Sequence, residues 1–461
     1  MFRILALDNL NEEGVALFRE AGFEVDVRPP MKPAELAAVI NDYDGVVVRS
    51  ATKVTAEALE PAVRLRVIGR AGAGTDNIDK EAATRKGIVV MNTPGGNTIS
   101  TCEHTFALML ALCRNIPQAH QSMVEGRWDR KSFMGTELAG KTLGVVGVGR
   151  IGGAVAKRAR AFEMRVLAFD PLLNPIKAEA LGVELVTLDQ LIEQSDFITI
   201  HAPKSEKTMN MFTLKEMRRM KPTCRIINCA RGGIVNEQDL AEALREGVIA
   251  GAALDVYTSE PFENNPFIGL KNIVMTPHLA ASTDEAQLTV AIDIAKQMID
   301  YLKTGAIVNA VNVPSLDQET ARAMQPLLFL AERLGRFQSS YVQGRPESLE
   351  IEYAGDMGIT DTYPVTAAIL CGFLAPMVET VNMVSAPVQI KEKGIAVSEK
   401  RNPAPSSYAF EISVTVRTDK EVCNVRGTLF NGRDPRICTI NGTRVDAVPE
   451  GVMLVCRNED K

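Results

Sequence analysis

The chain has 461 residues, 46% hydrophobic and 23% charged, with a net charge of -6. That balance is ordinary for a globular protein and has the wrong sign for a general nucleic-acid or membrane-surface binder. The length suggests about three domains, and the apolar run AAILCGFLAPMV from Ala367 falls short of the ~18 residues a membrane span needs. MFRILALDNLNEEG reads as strand and turn, with no basic region ahead of an apolar signal core. The eight cysteines, Cys102, Cys113, Cys224, Cys229, Cys371, Cys423, Cys438 and Cys456, show no CxxC pair and no metal-ligand spacing. Reduced thiols in a cytoplasm and no metal are the expectation.

Over the first hundred residues, β-rich runs alternate with helical patterns: FRILALD, EVDVRP, GVVVRS, RVIGRAG and GIVVMN, separated by segments such as EEGVALFREAG and PAELAAVINDY. This is the pattern of a βα-repeat domain with a parallel sheet. A long helical stretch, ISTCEHTFALMLALCRN, and a polar loop, EGRWDRKSFMGTEL, follow. Then KTLGVVGVGRIGGAVAKRARAFEMRVLAFDP, from Lys141, reads as strand, glycine turn, helix and second strand ending in an acid. Gly147 supplies the tight turn, Gly149 a bare backbone for close approach of a pyrophosphate, and Gly152 a small surface for helix packing. The pyrophosphate is expected at the helix N-terminus. Asp170, 18 residues after Gly152, can accept from a ribose diol and repel a 2′-phosphate, which favours NAD over NADP.

SDFITIHAP, CRIINCARGG, IAGAALDV and NIVMTPHLAAS complete a second parallel sheet, and a helix is expected from about Asp284 to Thr304. If that helix returns to the N-terminal domain, the first domain is discontinuous, two strands hinge the lobes, and a ligand belongs in the cleft. From about Pro314 a helical opening, ETARAMQPLLFLAERLG, precedes the β-rich runs SLEIEYAG, YAFEISVTVRT and EVCNVRGTLFNG. The fold class is therefore α/β, with two doubly wound domains, one flavodoxin-like and one Rossmann, plus a C-terminal α+β domain. The expected boundaries are 1–97 with 284–312, 98–283 and 313–450, leaving 451–461 as one further strand.

Hydride transfer at a C–OH needs an acid/base, a group that orients it and a cation for the substrate. His278 in MTPHLAAS offers an imidazole, the side chain suited to taking the hydroxyl proton. Glu260 in DVYTSEPF can fix its tautomer, and the planar fork of Arg231 in NCARGGIVN suits a carboxylate beside a carbonyl. Each follows a strand of a parallel sheet, where such folds keep their sites. Asp255, closing AGAAL, is either a capped strand end or an acceptor from the nicotinamide amide, and its position favours the second. His104 and His120 read as structural, and His201 as a neighbour of the cofactor. Arg49 and Arg70, at N-terminal strand ends, are the cationic candidates for a substrate phosphate, with Ser50 and Asn97 as neutral donors.

The order VVRSATKVT, GRAGAGTDNID, NTPGGNT, WDRKSFMGTELAGKTLGVVGVGRIG, NCARGGIVNE, ALDVYTSEP and TPHLAAST resembles the D-isomer-specific 2-hydroxyacid dehydrogenases. GDMGITDTYPVTAAILCGFL, VNMVSAP, EKGIAVSE and VRGTLFNGRDPRI resemble the intervening domain of that family's longer, phosphoglycerate-oxidising members. The resemblance implies NAD-dependent oxidation of 3-phospho-D-glycerate to 3-phosphohydroxypyruvate, the entry step of serine synthesis. It gives His278 the proton, Glu260 its partnership and Arg231 the substrate's 2-oxygen and carboxylate. The family's cofactor contacts carry over to Arg150, Ile151, Asp170, Cys229, Ala230, Asp255 and the segment His278, Leu279, Ala280, Ala281. Two further contacts fall on Ala73 and Ala202, whose methyl groups leave only backbone or packing.

The family is oligomeric, so a homodimer or homotetramer is implied, with Arg130 and Lys131 either serving a neighbouring subunit's site or lying on a solvated loop. GVMLVCRNEDK resembles the opening strand of the family's small regulatory ACT domain, and the expectation is that this domain is truncated or absent. Two other readings stand beside the main one. The first is a reductase of hydroxypyruvate, glyoxylate or another 2-keto acid, indifferent to the phosphate. The second is a non-enzymatic NAD-sensing scaffold of the corepressor type.

Overall fold

A computed structural model describes residues 1–315, 318–359, 361–402 and 408–456. The chain divides into two compact units, Met1–Thr93 together with the residues from Ala291 onward, and Pro94–Val290.

In the first unit β1 (Arg3–Ala6), β2 (Glu24–Val27), β3 (Gly45–Val48), β4 (Val67–Arg70) and β5 (Val89–Asn92) form an all-parallel sheet in the order β2-β1-β3-β4-β5. This is the flavodoxin-like order. The runs RILA and GVVV are almost wholly buried because helices cover a parallel sheet on both faces. The helix Asp284–Thr304 brings Ala291, Ile294 and Met298 against Gly14, Gly45 and Gly69 of this region. A bridge from Met91 to Ala310 follows it.

In the second unit β6 (Thr142–Val146), β7 (Arg165–Phe169), β8 (Glu184–Leu185), β9 (Phe197–Ile200), β10 (Arg225–Asn228), β11 (Gly251–Leu254) and β12 (Ile273–Met275) pair in parallel. Their order is β12-β11-β10-β9-β6-β7-β8. Strand order reverses between β6 and β9, the switch point at which doubly wound sheets bind ligands. Two apolar layers flank the sheet, one around Phe106, Met109, Val155 and Ala159, the other around Ile198, Phe212, Leu240 and Leu254.

The remaining part of the first unit is a mixed sheet of β13 (Pro346–Gly355), β14 (Ala396–Asn402), β15 (Phe410–Thr418), β16 (Val422–Phe430), β17 (Asp434–Ile440) and β18 (Thr443–Ala447), in the order β14-β13-β15-β16-β17-β18. Only β13 and β14 run parallel. The helices Gln318–Tyr341 and Tyr363–Leu374 share a core with it, built on Leu330, Leu334, Ile369, Phe373, Ile412 and Val414. The apolar run at Ala367 is thus part of a buried helix of 12 residues, and no helix among the described residues is long and apolar enough to cross a membrane.

The strand expected in GVMLVCRNEDK does not form among the described residues of that segment. Residues 451–456 carry no strand pairing, and residues 457–461 lie outside the described ones. The last ladder closes at Ala447, and Pro449 has no N–H with which to extend it.

The two long helices of the third sheet approach until their backbones touch. A Cβ on Gly335 would lie 2.0 Å from the Ile369 carbonyl oxygen, and one on Gly372 would lie 1.9 Å from that of Glu332. No side chain can yield there, because the obstacle is backbone. Gly372→Val is expected to destabilise the protein by about 1–3 kcal/mol or more, read as a lower thermal unfolding midpoint. An unchanged midpoint would mean that this helix contact does not exist.

Candidate active site

The glycine turn after β6 is shaped by steric exclusion. Gly147 has φ +85°, and its N–H donates to the Phe169 carbonyl at 2.9 Å. A Cβ at Gly147 would lie 2.8 Å from the His201 carbonyl oxygen, and one at Gly152 would lie 2.0 Å from the Gly147 oxygen. A Cβ at Gly149 would meet nothing within 4 Å. That glycine caps the 12-residue helix Arg150–Ala161 without any side-chain hydrogen bond. The helix therefore presents free N–H groups and its positive end at an unobstructed turn. Asp170 follows β7. Its Oδ2 accepts from the Val148 N–H and its Oδ1 from the Leu172 N–H, each at 2.8 Å. Each oxygen keeps a lone pair for a further donor such as a ribose hydroxyl. These residues fit a dinucleotide: an anion cradle at the turn and a fixed carboxylate at the neighbouring strand end.

Along the same sheet edge, His278 follows β12, Asp255 and Glu260 follow β11, Arg231 follows β10 and His201 follows β9. At about 4.8 Å per strand, β12 and β6 are roughly 19 Å apart, a reach suited to an extended dinucleotide.

His278 Nδ1 lies 2.7 Å from Glu260 Oε2. Burial alone would push the Glu260 carboxyl up, but the bond from His278 and another from the Tyr257 N–H to Oε1 at 2.9 Å hold it below the usual carboxylate range. At neutral pH Glu260 is therefore an anion and His278 donates through Nδ1, which leaves Nε2 for chemistry. His278 itself has φ +56°, a region bulky residues rarely enter. Its N–H is held by the carbonyls of Asp255 at 2.9 Å and Thr276 at 3.1 Å.

Asp255 is fully buried. Oδ1 accepts from the Leu279 N–H at 2.7 Å, the Thr276 hydroxyl at 2.6 Å and His104 Nε2 at 3.2 Å, and Oδ2 accepts from the Ala280 N–H at 2.9 Å. Burial pushes its carboxyl up, yet these donors hold it below its ordinary value. Asp255 thus anchors the segment His278–Ala281 through the Leu279 and Ala280 N–H groups. His104, structural by its sequence pattern, belongs to this network. The available signal was a histidine embedded among Thr101, Thr105 and Leu108, the inward stripe of the helix Thr98–Cys113.

Of the other expected residues, Arg231 is half-buried, with Nη1 donating to the Ala230 carbonyl at 2.6 Å, and the Asn228 side chain closes its turn. Burial pushes the Cys229 thiol up to about 12, so it stays protonated. Burial also pushes His201 down to about 4, leaving a neutral ring whose Nε2 lies 2.9 Å from Thr199 Oγ1. Ile151, Ala202, Ala230 and Ala281 are half-buried, whereas Arg150 and Leu279 are exposed.

In the first unit the Arg49 N–H donates to Asp8 Oδ2 at 2.8 Å, Arg70 Nη1 donates to the Ala71 carbonyl at 2.9 Å, and the Ala73 carbonyl accepts from the Asn92 amide. Ser50 is exposed. In the second unit Asn97 opens the helix Thr98–Cys113, with its Oδ1 buried and unpartnered, and Arg130 and Lys131 are exposed.

Residues 106–280 match the NAD binding domain of the D-isomer specific 2-hydroxyacid dehydrogenases, and residues 323–441 match the D-3-phosphoglycerate dehydrogenase intervening domain. A D-3-phosphoglycerate dehydrogenase of Archaeoglobus fulgidus is 43% identical over 461 residues, covering 100% of this chain and 87% of the relative. That of Bacillus subtilis is 40% identical, again over 100% of this chain and 87% of the relative. Among solved structures, a D-lactate dehydrogenase from Aquifex aeolicus complexed with NAD and lactic acid superimposes with a TM-score of 0.60 at 27% identity, covering 68% of this chain and 100% of that one. A glyoxylate reductase from Paecilomyes thermophila gives 0.62 at 26%, covering 67% and 98%. The chain belongs to the D-isomer-specific 2-hydroxyacid dehydrogenase family, among the D-3-phosphoglycerate dehydrogenases.

Proposed function

We propose that this enzyme oxidises 3-phospho-D-glycerate to 3-phosphohydroxypyruvate with NAD, supplying serine synthesis, and that His278 carries the proton. The observation that supports this most is the His278–Glu260 bond of 2.7 Å on the sheet edge that also bears the dinucleotide turn. NAD, when bound, supplies the acceptor for the hydride from C2. His278 Nε2 takes the hydroxyl proton as the C–O bond gains carbonyl character, and Glu260 stabilises the imidazolium and fixes its tautomer. In reverse, the same nitrogen returns the proton. Arg231 holds the substrate carboxylate and 2-oxygen through its planar fork.

Gly147, Gly149, Arg150, Ile151 and Gly152 form our cofactor cradle, with Asp170 on the ribose, Asp255 toward the nicotinamide amide, and Ala73, Ala202, Cys229, Ala230, Arg231 and the segment His278–Ala281 along the rest of the cofactor. Arg49, Ser50, Arg70 and Asn97 are our candidates for the substrate phosphate. Arg130 and Lys131 serve a neighbouring subunit in a homodimer or homotetramer. We assign substrate binding to residues 1–97 with 284–312, NAD binding to 98–283 and the intervening domain to 313–450. Eight cysteines that form no disulfide among the described residues suit the reducing cytoplasm in which we place the enzyme.

The substrate assignment is tested by NADH-dependent reduction of 3-phosphohydroxypyruvate against hydroxypyruvate, on wild type and Arg49→Ala. A large preference for the phosphorylated substrate that collapses in the variant is expected. Equal rates on both substrates, unchanged in Arg49→Ala, would move the assignment to a general 2-keto acid reductase.

The proton path is tested by Glu260→Gln. Removing the anion beside His278 favours the neutral ring, so the alkaline limb of keto-acid reduction, which needs the imidazolium, should move to lower pH. The sign follows from linkage: the pairing holds the Glu260 carboxyl below its ordinary value, so its contribution is present at neutral pH and is lost only as pH falls through the lowered value. An alkaline limb that stays in place would contradict the assignment.

A further inference from the structure

We propose that His104 is a positioning residue for proton transfer, acting from the helix Thr98–Cys113 through Asp255 on the backbone that carries His278. The inference rests on His278 being the proton carrier. His104 Nε2 lies 3.2 Å from Asp255 Oδ1 and 3.1 Å from Thr276 Oγ1. The Thr276 hydroxyl already donates its only proton to Asp255 at 2.6 Å. Both groups facing Nε2 are therefore acceptors, and the ring must hold its proton on that nitrogen. His104 is thus a fixed donor to a buried carboxylate.

The carboxylate in turn holds the N–H groups of Leu279 and Ala280 at 2.7 and 2.9 Å, the two residues after His278. Asp255 also accepts the His278 N–H on its own carbonyl at 2.9 Å. A residue at φ +56° persists only where its surroundings over-determine it, and these bonds are the determining ones. Other titratable groups facing Asp255 are Cys229 after β10, and Tyr257 and Glu260 after β11, all of which sense its charge. None of those three supplies it with a hydrogen bond among the described residues. Loss of His104 leaves burial less opposed, so the carboxyl rises and takes a proton at higher pH, releasing one of the loop's two anchors.

The experiment compares His104→Leu and His104→Gln in steady-state oxidation of 3-phosphoglycerate across pH, with NADH binding followed by fluorescence. Gln places an amide N–H close to the position of Nε2, whereas Leu removes the donor and keeps the bulk. The expected result for His104→Leu is a fall in kcat of about 10- to 100-fold, an acid limb displaced to higher pH and an NADH Kd within about twofold of wild type. His104→Gln should recover most of the kcat and the wild-type limb.

A His104→Leu enzyme with unchanged kcat and limb, or a His104→Gln enzyme no better than His104→Leu, would overturn the proposal. Should His104→Leu fail to fold, Thr276→Val removes a second donor from the same oxygen and must displace the limb in the same direction; an unmoved limb overturns the proposal. Glu260→Gln separates the two levels. A shifted alkaline limb there with a silent His104 sinks this inference alone, and an unshifted one sinks the proton-transfer reading beneath it.

Discussion

A carboxylate taken wholly out of water is costly unless protein donors replace its hydration. Asp255 meets that constraint with four donors from two parts of the chain, a helix and the loop after β12. Satisfying the carboxylate dictates where the loop runs. The loop can hold its bonds from residues 279 and 280 only if His278 adopts a left-handed backbone, and that conformation is seen. The orientation of the imidazole toward Glu260 thus follows from a buried charge one strand away. It is the kind of rigid support that proton transfer requires, because a base misplaced by an ångström loses its advantage.

The cofactor side of the site rests on steric exclusion. Gly147 and Gly152 stand where a methyl group would collide with backbone, whereas Gly149 faces open space. The turn is tight enough to press the helix Arg150–Ala161 against its strand and bare enough to leave its N-terminal N–H groups free. Asp170, held by the Val148 and Leu172 N–H groups, adds a fixed negative charge at the adjacent strand end. The two halves of the site meet along one edge because all seven strands are parallel, so every β-to-α loop leaves from the same side.

Much of this was legible in the sequence. The buried β-branched runs, such as GVVV at β3, announced a parallel sheet, and the strand–glycine–helix–strand–acid pattern from Lys141 pointed to a dinucleotide-binding unit. The helix Asp284–Thr304 was delimited by its own periodicity. What escaped was long-range or weakly patterned. His104 and Asp255 are 151 positions apart, and nothing local to either shows that they bond. The β14 run AVSEKRN is exposed throughout and carries Glu399, Lys400 and Arg401, as an edge strand often does, so it lacked the alternation that marks a half-buried strand. Gly335 and Gly372 read as weak helix residues until the crossing of their helices shows why each lacks a side chain. The apolar GVMLV run suggested a strand, but a strand needs a partner, and the ladder ends before it.

The most direct test of the account is His278→Ala, with turnover on 3-phosphohydroxypyruvate and the NADH Kd measured on the same preparation. The account requires kcat to fall by about 10²-fold or more while NADH still binds, with a far smaller change in Kd, because the cradle around Gly147 and Asp170 is untouched. Near-normal turnover, or an equal loss of cofactor binding, would contradict the assignment of proton transfer to this residue.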